Sequence, residues 1–557
     1  MFSAALEAFL LNHSSLLPDG LASNKAEWSI PIRLPPPPEG RGFAAWLILP
    51  RQFQTTDKAR IRLSKDAVLR LPHVESDGNL CLEAGDPGSG SGYTDEERIN
   101  WLLASFYEDF HDRWITGELD GDFEREAVNY WVIHVGRHWT RTNAIQRVFT
   151  VDERSVEPRV YKARLLQPSR FVVAGENEPL AERLIASLGS RSNSKQVIDI
   201  LVADVPIEYP LSPSNWPKKE SDLLQLLESR LSVELQNIFR QNKLRNRSFH
   251  RVVILRAHGC SFGYLLSGGP PTIVSMALST RAFPSSKFIP LTVERLDASW
   301  SYGRDQISQV AERQTKNIVV FGAGALGSSV IDQLAKAGIG SIVVVDPDVM
   351  SSANIGRHLL GAESIRQDKS RKLVQRLSHA NPAVILKAST MSAEKWLASD
   401  ALNGIDLIVD MTGEPDVRRH IEIARTKHPC PLVIGWMEPY VAAAHACALL
   451  GGSSWFLTNI DPLEGAQAVT WPKDVIQQEP SCTSDFQSYT ASAAAYAVSL
   501  VSETVLSLID GDVQESSIRS WVRGQEFLDN HYPGLELREW AHKAADLDGV
   551  LLSRSWK

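Results

Sequence analysis

Apolar residues at helical spacing open the chain: Phe2, Leu6, Phe9 and Leu10 predict an amphipathic helix ended by Pro18. Three strand-like runs follow, WSIPIRL, FAAWLILP and ARIRL, the first two separated by the proline-rich LPPPPEGRG. Related strands flank that stretch, so it reads as a stiff loop inside one domain and not as a linker. LPHVESDGNLCL and a DPGSGSG loop then lead into DEERINWLLASFYEDFHDRW. The aromatic face of this last stretch and Asp95 near its start predict a helix. With the helical FEREAVNYW, these elements make an α+β domain expected over 1–150.

Over 151–305, the strand candidates RFVVAG, VIDILVADV and RVVILRA alternate with polar helical stretches, which predicts an α/β linker domain. Its basic cluster Arg240, Lys243, Arg245, Arg247 and Arg251 reads as a solvated helix face. From Lys316 the pattern sharpens into strand, glycine-rich turn, helix and strand, opening a third, α/β domain over 306–557.

Composition adds exclusions. The 557 residues are 43% hydrophobic and 22% charged, which rules out disordered and fibrous classes. A net charge of −8 argues against a nucleic-acid-coating protein. Five cysteines are too few for a disulfide framework and point to a reducing compartment. The N-terminus lacks a basic region and carries Glu7 within its apolar stretch, so no signal peptide is expected. Without an uninterrupted apolar run of about 18 residues, no membrane span is expected either, and the protein is expected to be cytoplasmic.

The chemistry concentrates in two places. The apolar strand NIVVF runs into Gly322-x-Gly324-x-x-Gly327, and the next strand ends at Asp346. Glycines admit a phosphate close to the backbone, a helix N-terminus supplies N–H donors, and a carboxylate roughly twenty residues on accepts ribose hydroxyls. The same motif suits a dinucleotide dehydrogenase. Asn354, Arg357 and Lys369 follow in quick succession, however, and two cations suit a triphosphate attacked at its α-phosphate.

With these residues and VDMTGEPDVR at 409–418, the region from about 305 to 500 resembles the ThiF/MoeB and ubiquitin-activating family of adenylating enzymes. The resemblance implies a Rossmann-like adenylation domain that binds ATP and Mg2+ and pairs as a homodimer. It puts Asp346 on the ribose and Asn354, Arg357 and Lys369 on the phosphates. Gly413 stands where relatives carry a metal-associated carboxylate; Asp410 or Glu414 could replace it, with Asp410 favoured at its strand end. The paired Cys-x-x-Cys motifs that hold zinc in relatives are absent, so no structural zinc is expected.

Cys430 and Cys447 lie in apolar runs and read as core, with Cys260 structural by default. Cys482, in the polar QQEPSCTSDFQSY, resembles the loop cysteine that attacks the acyl-adenylate in ubiquitin-activating relatives. Leu71-Pro72-His73 through Gly78, Cys81 and Leu82 is similar to the active-site segment of ubiquitin-conjugating enzymes. The resemblance makes the first domain ubiquitin-conjugating-like, Cys81 its acyl acceptor, and His73 a substitute for the family's oxyanion-stabilising Asn. A core histidine remains the bland alternative.

The combination resembles the fused enzymes of bacterial CBASS antiphage operons. It implies activation of a protein C-terminus, from a cGAS-like nucleotidyltransferase or a ubiquitin-like protein, passage from Cys482 to Cys81, and transfer to a target amine. Neither nucleic acid nor a membrane is expected as a partner. A sulfur-carrier adenylyltransferase and a non-catalytic nucleotide-binding scaffold are the alternatives.

Overall fold

A computed structural model describes residues 3–35, 42–139, 147–167, 171–188, 196–240, 250–268, 285–399, 402–472, 475, 477–478, 485–486 and 489–556. The chain divides into two units: Met1–Thr150 with Arg154–Glu176 and Ser194–Glu294, and Val151–Glu153 with Asn177–Asn193 and Arg295–Lys557. Residues 1–150 and most of 151–305 therefore share one unit.

In the first unit, a helix at Ala4–Asn12 precedes a four-stranded antiparallel meander. Its strands are β1 (Ala22–Ser23), β2 (Glu27–Pro31), β3 (Ala45–Pro50) and β4 (Arg60–Leu63). Leu6, Leu10, Leu47, Leu49, Ile61 and Ile99 bury its inner face. The helix Asp95–Ser105 starts in a capping box, Thr94 accepting from the Glu97 N–H at 3.2 Å while Glu97 accepts from the Thr94 N–H at 2.8 Å. Arg98 on that helix is wholly buried and bound twice to Asp86 at 2.9 Å, which pins the start of the glycine-rich loop beneath it.

The middle segment alternates strands with helices, as expected of an α/β domain, but its strands form no open sheet. Seven strands close into a barrel in the order β10-β11-β5-β7-β6-β8-β9. They are β5 (Arg147–Thr150), β6 (Arg159–Gln167), β7 (Phe171–Ala174), β8 (Gln196–Pro206), β9 (His250–Ala257), β10 (Cys260–Gly268) and β11 (Ser285–Arg295). Pairs β5–β7 and β8–β9 are parallel, whereas β6 pairs antiparallel with both β7 and β8. Val148, Leu165, Val172, Val202, Ile254 and Leu291 fill the interior. The helix Ala127–Trp139 packs on the outside, where Trp131 Nε1 donates to the Leu291 carbonyl at 2.8 Å.

The second unit is built on an eight-stranded sheet, ordered β14-β13-β12-β15-β16-β17-β20-β21. Its strands are β12 (Asn317–Phe321), β13 (Ser341–Val345), β14 (Ile385–Ser389), β15 (Leu407–Asp410), β16 (Leu432–Met437), β17 (Ala443–Leu449), β20 (Ser517–Val522) and β21 (Val550–Ser555). The first five are parallel and the rest antiparallel. The two-residue strands β18 (Gln477–Gln478) and β19 (Asp485–Phe486) pair apart from it. Strands β12, β13 and β15 are almost continuously apolar because helices cover both faces. The helix Ala491–Ile509 is long and apolar enough to cross a membrane by composition, with a mean hydropathy of 1.5. It instead lays Ala497, Leu500, Val501 and Val505 into the core of the sheet.

Candidate active sites

In the first unit, Leu71, Val74 and Leu80 anchor the segment carrying Cys81. The Leu80 N–H donates to the Ile61 carbonyl and the Cys81 N–H to the His73 carbonyl, each at 2.8 Å. These bonds bring Cys81 beside His73, whose backbone is left-handed at φ 59°. The His73 ring lies between two carboxylates. Nε2 lies 3.0 Å from Asp122 and Nδ1 lies 3.3 Å from Glu126. The His73 N–H donates to the Tyr130 hydroxyl at 2.8 Å, and that hydroxyl donates to Glu126 at 2.7 Å. Nε2 hydrogen-bonds Asp122 and so is not offered to an oxyanion, whereas Nδ1 makes only an ionic contact with Glu126.

Cys81 itself is exposed and borders two hollows. One, of about 230 Å³, is lined by His73, Asp122, Glu126, Glu83 and Asp109. Asp109 comes from a π-helical turn, Phe106–Asp112, which also seats Phe110 in the core. The other is an open groove of about 950 Å³ beside β4, with Arg60, Arg62, Glu75 and Asp77 on its walls. Partial desolvation raises the Cys81 thiol pKa above its ordinary value, and the charges of Glu75 and then Glu126 raise it further. Its reserve of thiolate at neutral pH is correspondingly small.

In the second unit, β12 delivers the glycine-rich turn. Gly322 has φ +89°, and a Cβ there would stand 3.0 Å from the Met411 backbone. A Cβ on Gly327 would lie 2.0 Å from the Gly322 carbonyl oxygen, whereas one on Gly324 would meet nothing within 4 Å. The first and third glycines thus close the turn, and the middle one leaves open space at the N-terminus of the helix Ala325–Lys336.

Asp346 follows directly on β13 and holds this turn. Its carboxylate accepts from the Ala323 N–H at 2.6 Å and from the Asp348 N–H at 2.8 Å. Burial raises its pKa, opposed by those two bonds and the charge of Lys369. Lys369, buried at the start of its helix, contacts Asp348 at 2.9 Å. Asn354 turns its amide oxygen to the Ser351 N–H at 3.0 Å. Arg357 lies over the Tyr489 ring, 5.0 Å from its centroid.

His358 carried no motif and escaped the sequence reading. It accepts the Leu360 N–H at Nδ1 and so donates from Nε2 to the Ala323 carbonyl, at 2.9 and 2.5 Å. Burial lowers its pKa, which favours this neutral tautomer. It ties the segment bearing Asn354 and Arg357 to the glycine-rich turn.

Asp410 ends β15 in register with Phe321, and its buried Oδ2 has no hydrogen-bond partner. The side chain is wholly buried. Oδ1 accepts from Thr412 at 3.0 and 2.7 Å, and Oδ2 faces Arg418 Nη1 across 4.0 Å. Burial raises its pKa. Glu414 is exposed, and among the described residues no three His, Cys, Asp or Glu gather as metal ligands. Cys482 lies outside the described residues. Cys260, Cys430 and Cys447 are buried, and desolvation pushes the first two thiols up to about 11.

Residues 304–541 match the model of the ThiF family. That stretch is a ThiF domain. The chain as a whole is similar to the ATP-dependent ubiquitin transferase-like protein Cap2 of Pseudomonas aeruginosa, 23% identical over 86% of this chain and 87% of that protein. The adenylyltransferase and sulfurtransferase UBA4 of Yarrowia lipolytica is 30% identical over 24% of this chain and 35% of its own length. Among solved structures, E. coli MccB with ATP aligns at a TM-score of 0.31 and 14% identity, over 41% of this chain and 65% of that one. The glycine-rich turn, Asp346, Arg357 and Lys369 all fall within the ThiF domain, whereas Cys81 and its two hollows lie outside it.

Proposed function

We propose that this chain joins the C-terminus of a protein to an amine, using ATP and two cysteines in succession. The ThiF domain carries out the first step. A carboxylate oxygen attacks the α-phosphorus of ATP, the bond to the bridging oxygen breaks, and pyrophosphate leaves with that electron pair. Arg357 and Lys369 bind the growing negative charge, and the N–H groups at Gly324 hold the phosphates against the helix end. Asp346 fixes the turn and has lone pairs left for a ribose hydroxyl. Mg2+ is expected beside the phosphates, where the unbonded Oδ2 of Asp410 would hold it and the ion would neutralise phosphate charge.

The Cys482 thiol then attacks the acyl carbon and expels AMP, its proton passing to solvent or phosphate. Exchange with the Cys81 thiol moves the acyl group to the first unit, which we read as ubiquitin-conjugating-like. The single observation that carries this reading is Cys81 itself: an accessible thiol on a hydrogen-bonded turn, with an open groove on one side and a carboxylate-lined hollow on the other. The groove suits an extended acyl-bearing chain, and the hollow suits a protonated amine that must lose a proton before it attacks. Similarity along most of the chain to Cap2, an ATP-dependent ubiquitin transferase-like protein, supports an ATP-dependent transfer. The activated protein is a cGAS-like nucleotidyltransferase or a ubiquitin-like protein, the ThiF domains pair as a homodimer, and the setting is cytoplasmic antiphage defence.

The test is a non-reducing gel after incubation with ATP and a cGAS-like nucleotidyltransferase or ubiquitin-like protein. Cys81→Ala should accumulate a reductant-sensitive adduct on Cys482, and Cys482→Ala should charge neither cysteine. Loading of Cys81 at the wild-type rate in Cys482→Ala would refute the relay. A second reading, a sulfur-carrier adenylyltransferase, draws on the similarity to UBA4. It gives Cys81 no task, so an unaltered product yield in Cys81→Ala would favour it.

A further inference from the structure

Arg418 has no place in the steps above, yet it stands against the carboxylate that they assign to the metal. The side chains of Arg418 and Asp410 are both buried, 2% and 0% exposed. Each keeps one polar atom without a hydrogen-bond partner, Nη1 of Arg418 and Oδ2 of Asp410. These two atoms face each other across 4.0 Å, too far for a hydrogen bond. An unmade bond to a buried charged group is costly, so a pair with only a structural task would be expected to close the gap.

Each partner is instead held from behind. Asp410 stands in register with Phe321, next to the glycine-rich turn. Its Oδ1 is fixed by the Thr412 N–H at 3.0 Å and the Thr412 hydroxyl at 2.7 Å. Arg418 rises from the helix Pro415–Lys427, and its Nε donates to Asp461 at 2.8 Å. Asp461 is anchored in turn by Trp455 Nε1 at 2.9 Å and by the Leu463 N–H at 3.0 Å. The free oxygen of Asp410 therefore points at a guanidinium that is already bound to a second carboxylate. With both carboxylates ionised, the three groups carry one net negative charge. That is little to hold a dication whose usual partners are one or two carboxylates together with substrate phosphates.

We infer that Arg418 makes metal binding at Asp410 conditional on ATP: its charge keeps a lone divalent cation off Oδ2, and the triphosphate reverses the balance. The inference rests on the adenylation reading and adds to it an order of binding, in which the metal enters with the nucleotide and not ahead of it.

The experiment follows Mn2+ binding to the full chain by electron paramagnetic resonance, with and without ATP and without a carrier protein. In the absence of ATP, Arg418→Gln should bind Mn2+ at least tenfold more tightly than wild type. One unit charge about 5 Å from a dication has roughly that effect even at the dielectric of water. Adding Asp410→Asn should remove the gain, and Arg418→Lys, which keeps the charge, should show none. Asp461→Asn tests the same balance with Arg418 intact and so does not depend on the folding of an Arg418 variant. It leaves the guanidinium to Asp410 alone, and Mn2+ should bind less tightly in the presence of ATP. Nucleotide-free Mn2+ binding by wild type that Asp410→Asn abolishes would overturn the inference. So would no gain in Arg418→Gln, an equal gain in Arg418→Lys, or unaltered binding in Asp461→Asn. Failure of the adenylation reading looks different: wild type would bind ATP neither with Mn2+ nor without it, and the inference would fall with that reading.

Discussion

Replacing Gly327 by Ala should damage the ThiF domain in a way that replacing Gly324 does not, although both belong to one motif. The added Cβ at 327 would sit 2.0 Å from the Gly322 carbonyl oxygen and 2.9 Å from its carbonyl carbon. Real Cβ atoms keep about 3 Å or more from such groups, and the obstacle is backbone, so no side chain can swing aside. Relief requires the turn to move by roughly 1 Å, away from the carboxylate of Asp346 that holds it. Overpacking of this kind costs about 1–3 kcal/mol, and the upper end applies where backbone meets Cβ. For a unit of this size that upper end lowers the melting temperature by roughly 5 °C. At Gly324 the same methyl meets nothing within 4 Å, so Gly324→Ala should melt within about 1 °C of wild type and lose affinity for ATP alone. Differential scanning calorimetry with ATP titration separates the two effects. An unchanged melting point for Gly327→Ala, or an equal drop for Gly324→Ala, would refute the reasoning.

Three further outcomes are expected. Because desolvation, Glu75 and Glu126 raise the Cys81 pKa, iodoacetamide labelling of Cys81 should climb as pH rises above neutral, and Glu75→Gln should speed labelling at pH 7; peptide mass spectrometry reads both. Asp122→Asn should loosen the His73 turn and slow discharge from Cys81 more than it slows charging, as followed by single-turnover gels, since Asp122 holds the His73 ring. Glu438→Ala should cost about 3–5 kcal/mol in urea unfolding of the second unit. Its wholly buried carboxylate accepts from Val469 N–H at 3.2 Å and Trp471 Nε1 at 2.7 Å, and lies 2.7 Å from His445.

Local chemistry was legible in the sequence and distant pairing was not. The glycine-rich turn, Asp346 and the helix behind it obey short-range rules of backbone space and alternation, and the structure carries them as expected. Arg357 and Lys369 were visible as cations, but Tyr489 and Asp348, which engage them, bore no mark of the task. His73 and Cys81 were readable as neighbours because few residues separate them. Asp122, Glu126 and Tyr130 reach His73 from a distant helical region, and their contacts hold it in place. The barrel was hidden for the same reason: an apolar strand states that it is buried and is silent on which strand lies beside it. The strand-end position of Asp410 was legible, but the Thr412 and Arg418 that flank its carboxylate were not.

The closure of the barrel bears on how this chain can be cut. β5 lies between β11 and β7 in the ring, so a fragment ending at residue 150 would carry away one of its staves. The remainder would expose two raw sheet edges, templates for pairing with other chains. The fragment would fare little better, because the helix Ala127–Trp139 would present Trp131 to water in place of its seat against β10 and β11. The turn holding Cys81 leans on Tyr130 of that same helix. Anyone seeking the half that carries Cys81 as an independent reagent should therefore end it beyond Arg295, with the barrel whole.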